Sequence, residues 1–219
     1  MENGQTLRAL ESATEVELSE TLLLLQDTRQ SFAAMKLWFR KYAPEEGVQL
    51  PPEDDLIADA LFRDSVVQFI GNFDRKAEHP LDEGVVFAQV EGGAEYINWL
   101  KDIRDSYAAH KFGTLRQCVA GVALDASGSV IGIGHLALRG YPFGKEQEDQ
   151  MLRCMSVVGR YLEAKVRDLE AKLMAEAQAR SPADLLQLPS ARAYATATDE
   201  IRMSRKNLKN RRREAERTD

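Results

Sequence analysis

Ala94-Glu-Tyr-Ile-Asn-Trp-Leu-Lys-Asp-Ile-Arg-Asp-Ser-Tyr-Ala-Ala-His110 reads as a helix from about Ala94 to Ala109, with Tyr96, Ile97, Leu100, Ile103 and Tyr107 on one apolar face. Gly92-Gly93 before it permits a turn. After it the apolar period changes. Leu115–Leu124 and Ser129–Leu138 are runs of Val, Ile, Leu and small residues joined by Asp125-Ala-Ser-Gly128. Four turn formers ending in Gly between two such runs predict a β-hairpin at about 115–139. A helix that gives way directly to a hairpin, in a chain otherwise of helical period, sets the fold class as mainly α.

Working outward, Leu18, Leu22, Leu25, Phe32, Met35, Phe39 and Tyr42 recur at steps of three, four or seven. They predict one long helix from about Thr6 to Tyr42, or two joined near Ser12–Thr14. Pro44 and Gly47 stop it, because Pro cannot donate to the helical ladder. A second helix opens at Pro52 with Glu53, Asp54 and Asp55 at its positive end and continues through Leu56, Ala60, Val67, Ile70 and Phe73. His79-Pro80 breaks the chain, and a short apolar piece runs from Val85 to Val90.

Beyond Gly140-Tyr-Pro-Phe-Gly144 a strong helix reaches about Arg180, with Met151, Met155, Val158, Leu162, Leu169 and Leu173 on one stripe. Glu163/Arg167, Asp168/Lys172 and Glu176/Arg180 are spaced to pair on its wet side. Ser181-Pro182 reads as the cap and first residue of a short turn over Leu185–Leu188, ended by Pro189. Residues 1–180 are therefore expected to form the helical bundle and 181–219 a linker and basic tail.

The 219 residues are enough for a sizeable core, and 44% hydrophobic with 29% charged residues is ordinary for a globular protein. No stretch approaches the roughly 18 apolar residues that span a bilayer, and the first residues lack the basic flank and apolar run of a leader. The expectation is a cytoplasmic protein with no membrane partner. Only Cys118 and Cys154 occur, without metal or redox spacing, so both are expected as buried, reduced thiols. The net charge of −6 is uneven. Residues 202–219 hold eight Lys/Arg against three Asp/Glu, a surplus of five, which leaves −11 for residues 1–201. The body is acidic and the tail basic.

The pointed chemistry sits at the end of the third helix, in Ile103-Arg-Asp-Ser-Tyr-Ala-Ala-His110, with an Arg and a His separated by five residues. Together with Leu61-Phe-Arg-Asp-Ser-Val-Val67 on the second helix, this resembles the HEPN superfamily, and within it a bacterial branch associated with abortive infection. The resemblance covers about residues 50–140. It implies an antiparallel HEPN-like helical bundle with one inserted β-hairpin and a long C-terminal helix, working as a homodimer. It also implies a metal-independent ribonuclease without cofactor, serving as a toxin or antiviral effector restrained by an inhibitory protein partner. Arg104 and His110 match the family's signature pair and Asp105 its polar neighbour.

That chemistry has a physical basis. Attack by the RNA's own 2′-hydroxyl builds negative charge on the phosphate, which a guanidinium stabilises through two charge-assisted hydrogen bonds. An imidazole titrates near neutral pH and can carry the proton. On a regular helix six positions leave Arg104 and His110 about 120° apart and about 9 Å along the axis, a gap that a two-fold partner can close. The residues alone allow a plainer reading too. Arg104 then pairs with Asp102 or another acid, and His110 caps a helix C-terminus, where its charge is favourable.

Lys111 and the tail residues Arg205, Lys206, Lys209, Arg211, Arg212 and Arg213 are candidate RNA-phosphate contacts. The tail has no aromatic residue for base stacking and reads as a solvated helix or as a segment that orders on a partner. Gly132-Ile-Gly134-His-Leu-Ala137 fits a GxGxxA pattern, but a strand continues where a dinucleotide site needs a helix N-terminus, so its glycines point to a close backbone approach. His79, His110 and His135 stand too far apart in sequence to suggest a metal site. The alternative to an enzyme is a non-catalytic, dimeric HEPN-like module whose long helix and tail bind a protein or a nucleic acid.

Overall fold

The structure, a computed structural model, describes residues 7–43, 50–74, 80–108, 116–139 and 141–191. The chain divides into two units, residues 11–178 and a smaller one formed by residues 1–10 with 179–219.

The larger unit is built on three helices. Helix α1 (Ala13–Lys41) starts where Ser12 Oγ accepts from Glu15 N–H, a side-chain cap for an otherwise orphan donor. The run expected from Thr6 thus begins later, because the capping serine fixes its first turn. Helix α2 (Pro52–Gly71) has Pro at its first position and Glu53, Asp54 and Asp55 in its first turn, as the sequence suggested. Helix α5 (Glu148–Gln178) follows a 3₁₀ turn at Lys145–Gln147.

Polar contacts give the directions. Thr14 donates to Glu176 while Thr28 lies against Gly159, so α1 and α5 run antiparallel. Ser65 Oγ donates to Ser31 O at 2.7 Å and Asn72 Nδ2 to Thr28 Oγ1 at 2.9 Å, so α1 and α2 do too. The predicted stripe of α5 is the face that packs, with Met151, Met155, Val158, Leu162 and Leu169 buried and Leu173 at the margin. Its surface pairing differs from expectation. Glu163 binds Arg29 of α1 at 2.9 Å, and Glu176 takes the Thr14 hydroxyl, since α1 is near enough to compete with the i,i+4 partners.

Between α2 and α5 lie the short α3 (Glu83–Val86), which takes in the start of the apolar piece read at Val85–Val90, and α4 (Gly93–Ile103). Gly92 enters α4 at φ +68°, the left-handed region that favours glycine. A Cβ on Gly93 would stand 2.6 Å from the Phe87 ring, so this turn admits no side chain there.

Strands β1 (Arg116–Leu124) and β2 (Val130–Arg139) form the antiparallel hairpin, with Gly121 opposite Gly134 and Val122 opposite Ile133. Ala123 faces Gly132 and Leu124 faces Val130, which leaves Ile131 as a bulge. Asp125 Oδ1 closes the turn by accepting from Ser127 N and Ser129 N, and Gly128 supplies φ +86°. The hairpin's return is clamped to the bundle by aromatic rings. Phe143 is buried among Trp38, Phe39, Phe62 and Trp99, and Tyr141 rests on Trp38 and Phe62.

The smaller unit holds α6 (Pro182–Gln187), capped by Ser181 as read from the sequence. Arg8 pairs with Ser190 in an antiparallel bridge. Among the described residues no helix is long and apolar enough to cross a membrane.

Candidate functional site

Asn98, Lys101 and Arg104 follow one another at i, i+3 and i+6, and therefore share one face of the third helical segment. They line a cleft of about 690 Å³ whose other walls are Phe73 and Asp74 after α2, and Pro80, Leu81, Asp82 and Glu83 at the start of α3. Lys101 is fixed in this cleft from two sides. Its Nζ donates to Glu83 Oε1 at 2.9 Å and stands 6.0 Å from the centre of the Phe73 ring. The hydrogen bond from Lys101 is the main reason that the Glu83 carboxyl titrates below its ordinary value. Asp82 is occupied as the cap of α3, accepting from Val85 N–H at 3.0 Å.

Arg104 marks a change in the backbone. The α-helix ends at Ile103, and Arg104–Ala108 form a π-helical segment. Such a wider turn, bonded i to i+5, rotates the chain less per residue than an α-helix and is frequent at functional sites. Ser106 Oγ donates to the Asp102 carbonyl, a local side-chain bond of the kind that competes with the regular ladder. The 120° separation expected for Arg104 and His110 assumed a regular helix, and the π segment removes that premise.

The Arg104 Nε donates to Asp105 Oδ1 at 2.8 Å, so the acid that takes it is Asp105, in keeping with the plainer reading in which Arg104 pairs with Asp102 or another acid. The Arg104 side chain is 26% exposed and that of Asp105 60%. The bond uses Nε and leaves both terminal nitrogens of the guanidinium without a partner among the described residues. An arginine held by its inner nitrogen, with its outer fork free at the edge of a cleft, is suited to a planar or tetrahedral oxyanion.

His110 and Lys111 lie outside the described residues, as do Arg205, Lys206, Lys209, Arg211, Arg212, Arg213 and His79. Of the expected catalytic set the structure thus brings together Arg104 and Asp105. The Lys101–Glu83–Phe73 arrangement was missed. The i,i+3 spacing of Asn98, Lys101 and Arg104 was a usable signal, but nothing in the sequence announces that Glu83 returns to meet them.

Other candidate features resolve plainly. The GxGxxA run lies wholly within β2, away from any helix N-terminus, and His135 is exposed on the same strand. Among the described residues no group of three His, Cys, Asp or Glu is placed to hold a metal. Cys154 is buried, and that burial pushes its thiol up to about 11. Cys118, expected to be buried as well, is exposed, because the hairpin that carries it has no cover. No family model, curated protein or solved structure matches the chain.

Proposed function

We propose that the chain is a HEPN-like, metal-independent ribonuclease, acting as a homodimeric toxin or defence effector in the cytoplasm and held in check by an inhibitory protein. The observation that carries the reading is the free outer fork of Arg104, presented from a π-helical turn and steadied by Asp105 at 2.8 Å. In the proposed reaction the RNA 2′-oxygen attacks its neighbouring phosphorus while the bond from phosphorus to the 5′-oxygen breaks. The proton leaves the 2′-hydroxyl and another is supplied to the departing 5′-oxygen, giving a 2′,3′-cyclic phosphate and a 5′-hydroxyl. Arg104 stabilises the charge that gathers on the non-bridging oxygens. His110 moves the protons, an assignment that comes from the family resemblance alone. Lys111 and the basic tail add phosphate contacts, and their share of binding falls with salt.

Purified protein incubated with RNA in excess chelator is the test. Cleavage is expected, with a loss of about 10²-fold or more in Arg104→Ala and in His110→Ala. No cleavage by the unaltered chain, or cleavage unchanged in both variants, overturns the reading.

The second reading, a dimeric interaction module without catalysis, is favoured by a different observation. The hairpin exposes Val119, Val122, Leu124, Val130, Ile131 and Ile133, which are the residues an isolated domain normally covers.

A further inference from the structure

The hairpin β1–β2 is two strands whose described side chains are uncovered on both faces. Every side chain described on it is exposed or half-exposed. Two-stranded sheets are marginal in water and gain independent stability from a third strand or a packed face. Here the alternation of the strands sorts the residues into two unlike faces. The paired positions Gly121/Gly134 and Ala123/Gly132 leave one face nearly bare in its middle, and a Cβ at Gly121, Gly132 or Gly134 would meet nothing within 4 Å. The pairs Val122/Ile133 and Leu124/Val130 give the other face a cluster of aliphatic side chains. Their exposures are 56% for Val122, 56% for Leu124, 68% for Val130 and 78% for Ile133.

We propose that this Val122/Leu124/Val130/Ile133 face is the docking surface for the same face of a second copy of the chain, with the two-fold axis passing near the Val122/Ile133 pair. Three features select that occupant. First, the surface bears no charge to repel its own image: between Gln117 and Leu138 the only Asp, Glu, Lys or Arg is Asp125, which sits in the turn. Residues 1–201 otherwise carry a net −11, so a neutral arm is where two acidic bodies can meet with least repulsion. Second, the size is that of a small interface. With Ile131 at the bulge beside it, the exposed aliphatic surface of this face is on the order of 500 Å², within the range of the largest patch on a monomer and over half of one partner's share of a standard interface, about 800 Å². Third, an antiparallel hairpin packed face to face on its own copy makes an isologous contact that closes at two chains. The aromatic clamp of Tyr141 and Phe143 holds the base of the arm, so docking leaves the bundle core undisturbed.

The inference shares with the proposed ribonuclease only the requirement for a second copy. Its test reads mass, not cleavage. In sedimentation velocity at micromolar concentration the full chain is expected at twice its 24.6 kDa mass. Ile133→Lys and Ile133→Glu are each expected at the single-chain mass with unchanged helical circular dichroism, because the 78% exposed side chain contributes little to the fold. An equimolar mixture of the two variants is expected to recover the doubled mass at low salt and to lose it at high salt. A single-chain mass for the unaltered protein overturns the proposal, and its co-sedimentation with phosphatidylcholine vesicles in that case assigns the face to lipid. Doubled mass in both variants overturns it as well. Separated variants that do not recombine show that the face meets a different surface, and overturn the self-docking. RNA cleavage measured on the same samples keeps the two ideas apart. A doubled chain that does not cut RNA removes only the ribonuclease, and a single chain that cuts it removes the hairpin dimer and the homodimeric form of the enzyme while leaving the cleavage chemistry.

Discussion

Arg104 Nε lies 2.8 Å from Asp105 Oδ1, a bond between sequence neighbours at the start of the π-helical segment. Adjacent residues on a helix ordinarily point apart. Here the bond fixes the inner edge of the guanidinium and leaves its outer fork without a partner among the described residues. In the RNA assay Asp105→Asn is expected to slow cleavage about tenfold, equivalent to ~1.4 kcal/mol, near the low end for a hydrogen bond to a charged group. Arg104→Lys is expected to fall close to Arg104→Ala, because an ammonium lacks the two-pronged geometry. Cleavage rates for the three variants at fixed salt decide it, and a fully active Arg104→Lys would remove the fork from the argument.

The Lys101–Glu83 pair makes stability depend on acid. Its side chains are 26% and 30% exposed, so solvent screening limits its worth to about 1 kcal/mol or less. Glu83 titrates below 4.5 in the folded chain, chiefly through the bond from Lys101. Its stabilisation is therefore complete above the unfolded carboxyl pKa and is lost as pH falls through the lower folded value. Glu83→Gln is expected to lower the urea midpoint at pH 7, and the difference is expected to shrink as the pH falls through the lowered folded value. A difference that does not change across the whole acid range would assign the effect to packing.

Phe143 is 6% exposed and meets four aromatic neighbours from α1, α2 and α4. Truncating a buried Phe to Ala removes its transfer energy and leaves a cavity, about 3–5 kcal/mol together. Phe143→Ala is expected to cost that much in equilibrium unfolding and to speed amide exchange across both strands, because it loosens the anchor of the hairpin. Exchange confined to the α1/α2 core would separate the hairpin from the clamp.

Gly93 offers a steric test of the entry to α4. A methyl group there would stand 2.6–2.8 Å from three carbons of Phe87, a side chain that is only 4% exposed and has little room to retreat. Gly93→Ala is expected to destabilise by about 1–3 kcal/mol, although alanine is the better helix former by about 1 kcal/mol. Thermal unfolding reads the sign, and a stabilised variant would mean that Phe87 rearranges freely.

The regular parts of this fold were legible because they repeat. The α5 stripe from Met151 to Leu169 and the Asp125–Gly128 turn each carry a local period or turn chemistry that needs no partner to be recognised. What escaped reading depends on neighbours distant in sequence. Glu163 chose Arg29 over Arg167 because α1 packs against α5, and Glu83 reached Lys101 because α3 folds back on α4. The π segment was hidden for a related reason. Arg104–Ala108 has ordinary helical composition, and only the Ser106 bond to Asp102 and the surrounding packing show that the turn widens. At the candidate site the pairing of neighbours Arg104 and Asp105 was open to reading, His110 lies outside the described residues, and the cleft beside Arg104 was not legible.

The two cysteines turn burial into a rate. Cys154 sits on the packed face of α5, where burial pushes its thiol up to about 11, so at pH 8 only about one molecule in a thousand carries the thiolate that reacts. Cys118 is exposed on β1 of the uncovered hairpin. With a chromogenic disulfide reagent at pH 8 the folded chain is expected to release one equivalent of thiolate quickly, and the second only on unfolding. Cys118→Ser should abolish the fast phase and Cys154→Ser the slow one. The fast phase also reports on the hairpin itself. If that arm is covered by a second copy, the Ile133→Lys variant should react at Cys118 faster than the parent at equal chain concentration, and equal rates would place Cys118 outside the covered area.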